Sequence, residues 1–402
     1  MWSLPDSPPA PAHRFSDADE AAFFQEAASA YRPPATEDAG ERIARLRLIR
    51  SRRVGTATYL RLMAEHRSAA DALRALPEIA RAAGVESYTT CPEPVALAEI
   101  KAAKRAGARM ICLGDADYPT SLAESGDAPP ILWAKGRADL LARPMLALVG
   151  TRNASAMGAR MARRLAADLG DAGHVIVSGL ARGIDALAHQ ASLETGTIAV
   201  LAGGLDCIYP AENTDLAAQI AQKGLLLSEM PFGLHPQARH FPRRNRIVAG
   251  LARAVIVVEA ATRSGSLITA RIALDQGREV MAVPGHPMDT RAGGGNQLIR
   301  DGALLVRDAA DVIAACGQDD AVPRQSMRPV ARDKAVPLAP PPPHTDGGLE
   351  GAILALLGTA PLAEDQLIRD LGQPPRAVAQ ALAILELAGR IQRGGGGLLT
   401  RL

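Results

Sequence analysis

A cluster of arginines between residues 239 and 253 is the clearest chemical feature of this chain. The segment RHFPRRNRIVAGLAR contains five arginines and one histidine, and no acidic residue occurs from Met230 to Val258. The net charge of the 402-residue chain is only +2, so any anion binding must be a local property. Guanidinium groups recognise phosphate through two parallel hydrogen bonds. The segment therefore predicts a site for a phosphate-bearing ligand.

The same segment has the pattern of a helix that begins near Pro242. A proline costs nothing in the first turn of a helix, and an apolar face follows at Ile247, Val248 and Leu251. Arg243, Arg244 and Arg246 cannot all share that face. We expect at least some of their guanidinium groups to project towards a ligand.

Phe241 lies among these arginines and is one of twelve aromatic residues in the chain. Single-strand binders stack bases on aromatic rings while basic residues follow the backbone. An apolar staple at the start of the helix is an equally good interpretation of Phe241.

Eight short apolar runs alternate with helix-sized amphipathic segments from Met110 onward. They are MICLG, ILWAKG, MLALVG, HVIVSG, IAVLAGG, LLLSEM, AVIVVEA and EVMAVPG. Such alternation is typical of a parallel sheet covered by helices on both faces. Residues 91–316 are predicted to form an α/β core of the extended Rossmann-like type.

Small and polar residues follow several of these runs, at the sheet edge where open α/β folds bind ligands. Together with the arginine segment they form the predicted binding site, which comprises Gly150, Thr151, Arg152, Ser178, Gly179, Arg182, Arg239, Phe241, Arg243, Arg244, Arg246, Ser264 and Gly265. This basic patch is too large for one small phosphate, and a polyanion is expected.

Other chemistry is not supported by motifs. The chain has no GxGxxG after a strand, no GxxxxGK[ST] and no GxSxG, so neither a nucleotide cofactor nor a serine hydrolase is indicated. The four cysteines are scattered without a CxxC pair, and no metal is expected. Asp185 and His189, four residues apart, predict a hydrogen bond on a helix surface, with an acid–base pair as the alternative.

The flanking regions differ in composition from the core. Residues 1–36 have the composition of a disordered leader, and residues 317–346 that of a proline-rich linker. Residues 37–90 predict a helical module, either a plain packing module or one of the SAM or helix-hairpin-helix type. Residues 347–402 predict three helices and a hairpin, which is a winged helix. No run is long enough to span a membrane, and a cytoplasmic protein is expected.

Seven blocks between residues 105 and 310 resemble those of DNA-processing protein A, the DprA or Smf family. They include VGTRNAS, SGLARGIDALAHQASL, HFPRRNRIVAGLARAVIVVEA and RSGSLITARIALDQGREVMAVPG. The resemblance implies a bacterial protein that binds single-stranded DNA, forms a homodimer and loads the recombinase RecA during natural transformation. It implies no catalytic activity and no cofactor.

The resemblance also assigns residues. Arg152 ends the Gly-Thr-Arg motif that lines the family's DNA pocket, and the other side of that pocket would come from Phe241, Arg243, Asn245 and Arg246. The family often has a lysine just after the Tyr-Pro of its third block, where this chain has Ala211 and Glu212. Arg182 or Arg239 would replace it. The homodimer and RecA-facing region would contain Leu298, Ile299, Leu304 and Leu305.

Two other functions remain open on sequence alone. The sheet edge could belong to a nucleotide-processing enzyme of the phosphoribohydrolase group, with Glu259 as the acid, although AGGLD and EAATRSGS match that group poorly. The chain could also be a scaffold whose terminal modules recruit proteins.

Overall fold

The computed structural model describes residues 38–317, except 67, 83, 84 and 86. It also describes residues 348–401, except 358–361, 375–376, 379–380, 383, 386–389 and 394–397. The chain divides into two compact units. One unit includes residues up to Lys101 and Ile111–Ile131, and the other includes Ala102–Met110 and everything from Leu132. The predicted leader and, apart from Gly317, the predicted linker lie outside the described residues.

The first unit is helical. Its helices are α1 (Ala39–Arg50), α2 (Thr56–Glu65), α3 (Ala69–Ala82), most of α4 (Glu93–Arg105) and α5 (Thr120–Ala123). The Asp38 carboxylate caps α1 by accepting a hydrogen bond from the Glu41 amide at 2.7 Å. Leu46, Tyr59 and Leu60 are fully or almost fully buried between the helices. The predicted N-terminal helical module is therefore present.

All eight apolar runs form strands. These are β1 (Arg109–Cys112), β2 (Ile131–Gly136), β3 (Met145–Val149), β4 (Val175–Ser178), β5 (Thr197–Val200), β6 (Leu225–Ser228), β7 (Ala254–Val257) and β8 (Glu279–Ala282). A two-residue strand, β9 (Leu304–Leu305), was not predicted as a strand. In the second unit the strand order is β2-β6-β5-β4-β3-β7-β8-β9.

The expectation of a purely parallel sheet is wrong for β2, which pairs antiparallel with β6 in the register Trp133↔Ser228. The pairs from β6 to β9 are parallel. The first four residues of β2 are buried, as are all four of β6. An apolar run buried on both faces carries no signal of strand direction, so sequence could not distinguish the two pairings.

Helices connect and cover these strands. They are α6 (Ala156–Asp171), α7 (Ile184–Ala191), α8 (Thr214–Lys223), α9 (His240–Leu251), α10 (Gly265–Asp275), α11 (Gly293–Arg300) and α12 (Ala309–Cys316). Leu165 and Leu169 of α6 are buried in the core beside Leu146 and Ile256. Met157, which the apolar spacing of α6 had placed on the same face, is exposed.

The sheet reverses its winding between β3 and β7. From β3 the chain adds β4, β5 and β6 on one side, and then adds β7, β8 and β9 on the other. The loops that leave β3 and β7 therefore diverge and open a crevice at the carboxyl ends of these two strands. This order confirms the predicted Rossmann-like core and locates the crevice beside Gly150.

The C-terminal region contains α13 (Gly348–Leu356), α14 (Glu364–Leu371) and an antiparallel sheet in the order β10-β12-β11. Its strands are β10 (Leu362–Ala363), β11 (Ile391–Arg393) and β12 (Leu398–Arg401). Ile353, Leu367 and Leu382 are buried in its core. Two helices, further helical backbone at residues 377–378, 381–382 and 384–385 and a small sheet confirm the predicted winged helix. None of the described helices is both long and apolar enough to cross a bilayer.

Candidate nucleic-acid interface

An open cleft of about 840 Å³ lies at the crevice between β3 and β7. Its walls come from the loops after β3, β4, β5, β6 and β7 and from the first turns of α9 and α10. The predicted residues that line it are Gly150, Thr151, Arg152, Phe241, Arg244, Asn245, Ser264 and Gly265. A smaller cavity shares Arg152 and Phe241 with the cleft and adds Gly179 and Arg182. Segments that are far apart in sequence thus converge at one rim.

The turn that carries Arg152 is held by backbone contacts. A Cβ on Gly150 would lie 2.6 Å from Cγ1 of Ile184, so only glycine fits there. The Thr151 amide donates to the Glu259 carbonyl at 2.7 Å, and the Thr151 carbonyl accepts from the Ile184 amide at 3.2 Å. Arg152 is exposed, and its guanidinium carbon lies 5.6 Å from the centre of the Phe241 ring. This distance allows a cation–π interaction.

Phe241 belongs to the rim of the cleft. It is the second residue of α9, whereas a staple residue precedes the cap, so the staple interpretation is excluded. Its ring packs edge-on against Tyr209 at 5.8 Å between centroids. Tyr209 is 51% exposed and was missed by the sequence analysis. Its signal was available, since this tyrosine lies shortly after the fifth apolar run, IAVLAGG, in the same block as Ala211 and Glu212.

Arg244 lines the cleft but is not accessible to solvent. Its side chain is buried and lies against Gly179, where a Cβ would be 1.0 Å from Nη1 of the guanidinium. Nη1 is 3.9 Å from the Asp185 carboxylate. Burial raises the pKa of Asp185 and lowers the pKa of Arg244, and each charge opposes the effect on the other. Arg244 therefore forms part of the cleft floor.

Four of the predicted DNA-binding residues line neither the cleft nor the smaller cavity, and two of them have structural contacts. Arg246 forms an ion pair with Glu229, and both side chains are largely buried. The Ser178 hydroxyl is buried and donates to the Leu148 carbonyl at 2.6 Å. The absence of acids near Arg246 in sequence was misleading, because its partner comes from the end of β6. The other two residues, Arg239 and Arg243, are exposed near the start of α9.

The remaining arginines keep an accessible positive charge. Arg152, Arg239 and Arg243, and also Arg263 of the cleft lining, are exposed and form no ion pair with a described residue. Arg182 lies 3.4 Å from Glu212 in an exposed pair, which contributes little. Burial and the charges of Arg239 and Arg243 lower the pKa of His240, which favours its neutral form. Arg263 was not predicted as a site residue.

The expected surface pairing of Asp185 with His189 is wrong. Both side chains are buried, and each bonds to the loop after β4. Asp185 accepts from the amides of Gly179 at 3.1 Å and Ala181 at 3.4 Å. His189 accepts from the Leu180 amide at 3.3 Å. Burial and the nearby Arg244 charge lower the pKa of His189 to about 3.

The Glu259 carboxylate binds Ser155, the residue that precedes α6. It accepts from the Ser155 amide at 3.0 Å and from the Ser155 hydroxyl. A Cβ on Gly158 would lie 2.3 Å from the carboxyl carbon, so Gly158 makes room for this contact. Glu259 is absent from the lining of the cleft. Its oxygens are thus committed to the helix terminus, which argues against the role of a free general acid.

The four leucine and isoleucine residues predicted for the dimer region lie near the sheet edge. Leu298 and Ile299 are half-buried on α11, and Leu304 and Leu305 are exposed on β9. Among the residues described, no cluster of three histidine, cysteine, aspartate or glutamate side chains is suited to hold a metal ion.

Chemically, the cleft offers cations on its floor and rim, two aromatic rings and the start of α10. The Ser264 hydroxyl caps α10 by accepting from the Ser266 amide at 3.3 Å, and Ile268 is an exposed apolar residue on the same wall. Such a surface suits a chain of phosphates that alternate with planar groups.

Comparison with known proteins agrees with this architecture. A sequence model described as DNA recombination-mediator protein A matches residues 109–317. A DprA-like N-terminal HHH domain matches residues 39–102, and a DprA winged helix domain matches residues 337–397.

Individual relatives support the same assignment. The chain is 45% identical to DNA processing protein DprA of Bacillus subtilis over 216 residues, which are 53% of this chain and 73% of that protein. It is 39% identical to protein Smf of Escherichia coli over 288 residues, which are 70% of this chain and 74% of that protein. The X-ray structure of DprA from Streptococcus pneumoniae superposes with a TM-score of 0.53 at 32% identity, covering 75% of this chain and 98% of that chain. The chain therefore belongs to the DNA recombination-mediator protein A family, which includes the DprA and Smf proteins.

Proposed function

We propose that this chain binds single-stranded DNA in the cleft between β3 and β7 and catalyses no reaction there. The observation that carries the proposal is the set of exposed arginines that form no ion pair with any described residue, together with the Phe241–Tyr209 pair. Each phosphate contact releases counterions, which supplies affinity for any sequence. The position of Glu259 at the start of α6 speaks against the nucleotide-processing alternative.

A single strand is favoured over a duplex because of the aromatic pair. Bases can stack on Phe241 or Tyr209 only when they are not paired and stacked within a duplex. Every base has a face that can stack, so this contact does not depend on sequence. The arginines on the rim would follow the backbone at the same time. Binding should therefore depend strongly on salt and weakly on sequence.

In the cell we propose that the chain protects incoming DNA and loads RecA during natural transformation, as a cytoplasmic homodimer. Support comes from membership of the family and from the name DNA processing protein carried by its relative in Bacillus subtilis. Leu304 and Leu305 are exposed on the edge strand, and Leu298 and Ile299 lie close by in sequence, so these four residues are the proposed contact region.

A Leu304→Glu variant should sediment as a smaller species than the wild type if this region joins two copies. Equal sedimentation would move the interface elsewhere.

The first experiment compares labelled single-stranded and duplex DNA in gel shifts at several salt concentrations. We expect tighter binding of the single strand and a steep loss of affinity with salt. Equal affinity for both forms would remove the proposed role of the aromatic pair.

The enzyme alternative is tested by incubating the protein with nucleoside monophosphates. Release of free base by the wild type, and its loss in Glu259→Gln, would overturn the proposal.

A further inference from the structure

The loop between β4 and α7, residues 179–183, contains an unusual backbone conformation at Leu180. Its φ angle is +55°, in the left-handed region that leucine rarely adopts because Cβ approaches the following carbonyl oxygen. The side chain of Leu180 is fully buried. The surrounding structure must therefore hold the loop in this shape.

Both polar groups of Leu180 are bound by buried side chains from other elements. The amide donates to Nε2 of His189 on α7 at 3.3 Å. The carbonyl accepts from the Asn213 side-chain amide at 2.9 Å. Asn213 precedes α8 but makes no capping hydrogen bond to it, so its bond to Leu180 does not serve that helix.

The hydrogen bonds around His189 define its tautomer. The Thr197 hydroxyl donates its only proton to the Ile176 carbonyl at 2.9 Å. Its oxygen must then accept a hydrogen bond from a protonated Nδ1 of His189, which lies 2.7 Å away. Nε2 is left with a lone pair, which is what the Leu180 amide requires. The imidazole thus acts as a neutral acceptor.

The held loop forms the floor of the cleft. Gly179 lies under the Arg244 guanidinium, and the amides of Gly179 and Ala181 both point at Asp185. Ala181 lines the cleft, and Arg182 lines the adjoining cavity. A change at Leu180 would move Gly179, Ala181 and Arg182 together, because they are one to two residues away.

We infer that His189 and Asn213 are positioning residues that clamp Leu180 in the left-handed conformation and so preorganise the floor of the DNA cleft. Neither residue lines the cleft, so they act through the loop. This inference deepens the proposed function and rests on it for its binding readout. Only the fraction of molecules with the ordered loop would bind tightly, and the apparent affinity scales with that fraction.

The test uses the full-length chain and a labelled oligonucleotide. His189→Ala removes the acceptor, and binding should weaken by roughly 5- to 30-fold, the population penalty of a left-handed non-glycine residue. His189→Gln can return an oxygen to the position of Nε2 and should recover most of the affinity. Asn213→Ala, which releases the carbonyl, should also weaken binding, with Thr214→Ala as its neighbouring control. Circular dichroism and a thermal melt verify that each variant is folded.

Glycine and alanine at position 180 distinguish a clamp from general stabilisation. Both remove the buried leucine side chain, but glycine adopts positive φ about as readily as negative φ. With His189 intact, Leu180→Gly and Leu180→Ala should bind DNA alike. In the His189→Ala background, the alanine variant should lose roughly 5- to 30-fold in affinity and the glycine variant only about twofold. If His189→Ala lowers the DNA affinity of the Leu180→Gly and Leu180→Ala variants by the same factor, the clamp is overturned.

A second readout does not depend on DNA. Nitrogen-15 spectra of selectively labelled histidines should show one neutral ring with its proton on Nδ1, and that signal should be absent from His189→Gln. A proton on Nε2 would overturn the inference.

The two proposals fail differently. If the wild type does not bind single-stranded DNA, the proposed function fails while the tautomer still tests the clamp. If the wild type binds and folded His189→Ala and Asn213→Ala bind equally well, only the clamp fails.

Discussion

Replacing Arg152 with alanine is the most direct test of the cleft. Arg152 is exposed, forms no ion pair with a described residue and lies over the Phe241 ring. For a single strand the logarithm of affinity changes with the logarithm of salt by about −0.7 per phosphate contact. Loss of one contact should therefore lower the slope by about 0.7. Between 50 and 200 mM salt, a fourfold change in concentration, the wild type should therefore lose about 2.6-fold more affinity than the variant.

The assay is fluorescence anisotropy of a labelled oligothymidine, titrated at several salt concentrations. Arg152→Lys keeps the charge but loses the planar group over Phe241, so its slope should match the wild type. Its affinity should fall, because lysine cannot donate two parallel hydrogen bonds to one phosphate. Arg163→Ala is the matched control, because Arg163 is an exposed arginine on α6 and lines neither the cleft nor its neighbouring cavity. An Arg152→Ala variant with the slope and affinity of the control would refute the placement of the strand.

Three further changes test other parts of the site. Phe241→Leu should cost about 1–3 kcal/mol of binding with an unchanged salt slope, since stacking involves no phosphate; wild-type affinity in the same titration would rule out stacking. Gly179→Ala forces a Cβ to within 1.0 Å of Nη1 of Arg244. It should lower the free energy of unfolding by about 1–3 kcal/mol in urea denaturation, and unchanged stability would contradict the packing of Arg244 on the loop. His189 has a depressed pKa of about 3, so it stays neutral in the folded protein while the unfolded chain gains a proton below about pH 6.5. The wild type should lose up to about 1.4 kcal/mol of stability per pH unit from this residue as the pH falls from 6.5 towards 3, and His189→Gln should lack this component. Parallel pH dependences of the two proteins in urea melts would show that His189 is not buried in neutral form.

The sequence predicted the elements of the core well because their signals are local. Buried strands such as Met145–Val149 are continuous apolar runs, and the intervening helices show the period of an amphipathic face. The direction of β2 was not predictable, since its buried run has the same composition whether it pairs parallel or antiparallel. Met157 followed the helical spacing but is exposed, because spacing shows which residues share a face and not which of them meet another element.

The candidate site shows a similar division. The residue types and their position after strands indicated an anion-binding edge and included Arg152 and Phe241, which the structure places in contact. Tyr209 and Arg263 were missed because each comes from a loop with no basic cluster of its own. The sequence also could not show that Arg244 is buried, because its carboxylate partner Asp185 lies on another helix.

By itself, the sequence determined which segments become strands and helices, that small residues follow the strands, and that positive charge is concentrated near residue 240. Only the tertiary structure decided which of those charges remain available. Glu229 neutralises Arg246, and Asp185 draws Arg244 into the floor, while Arg152, Arg239 and Arg243 are left exposed. The physical reason is that an ion pair depends on distance in space, and the order of the strands in the sheet sets that distance for groups that are far apart along the chain.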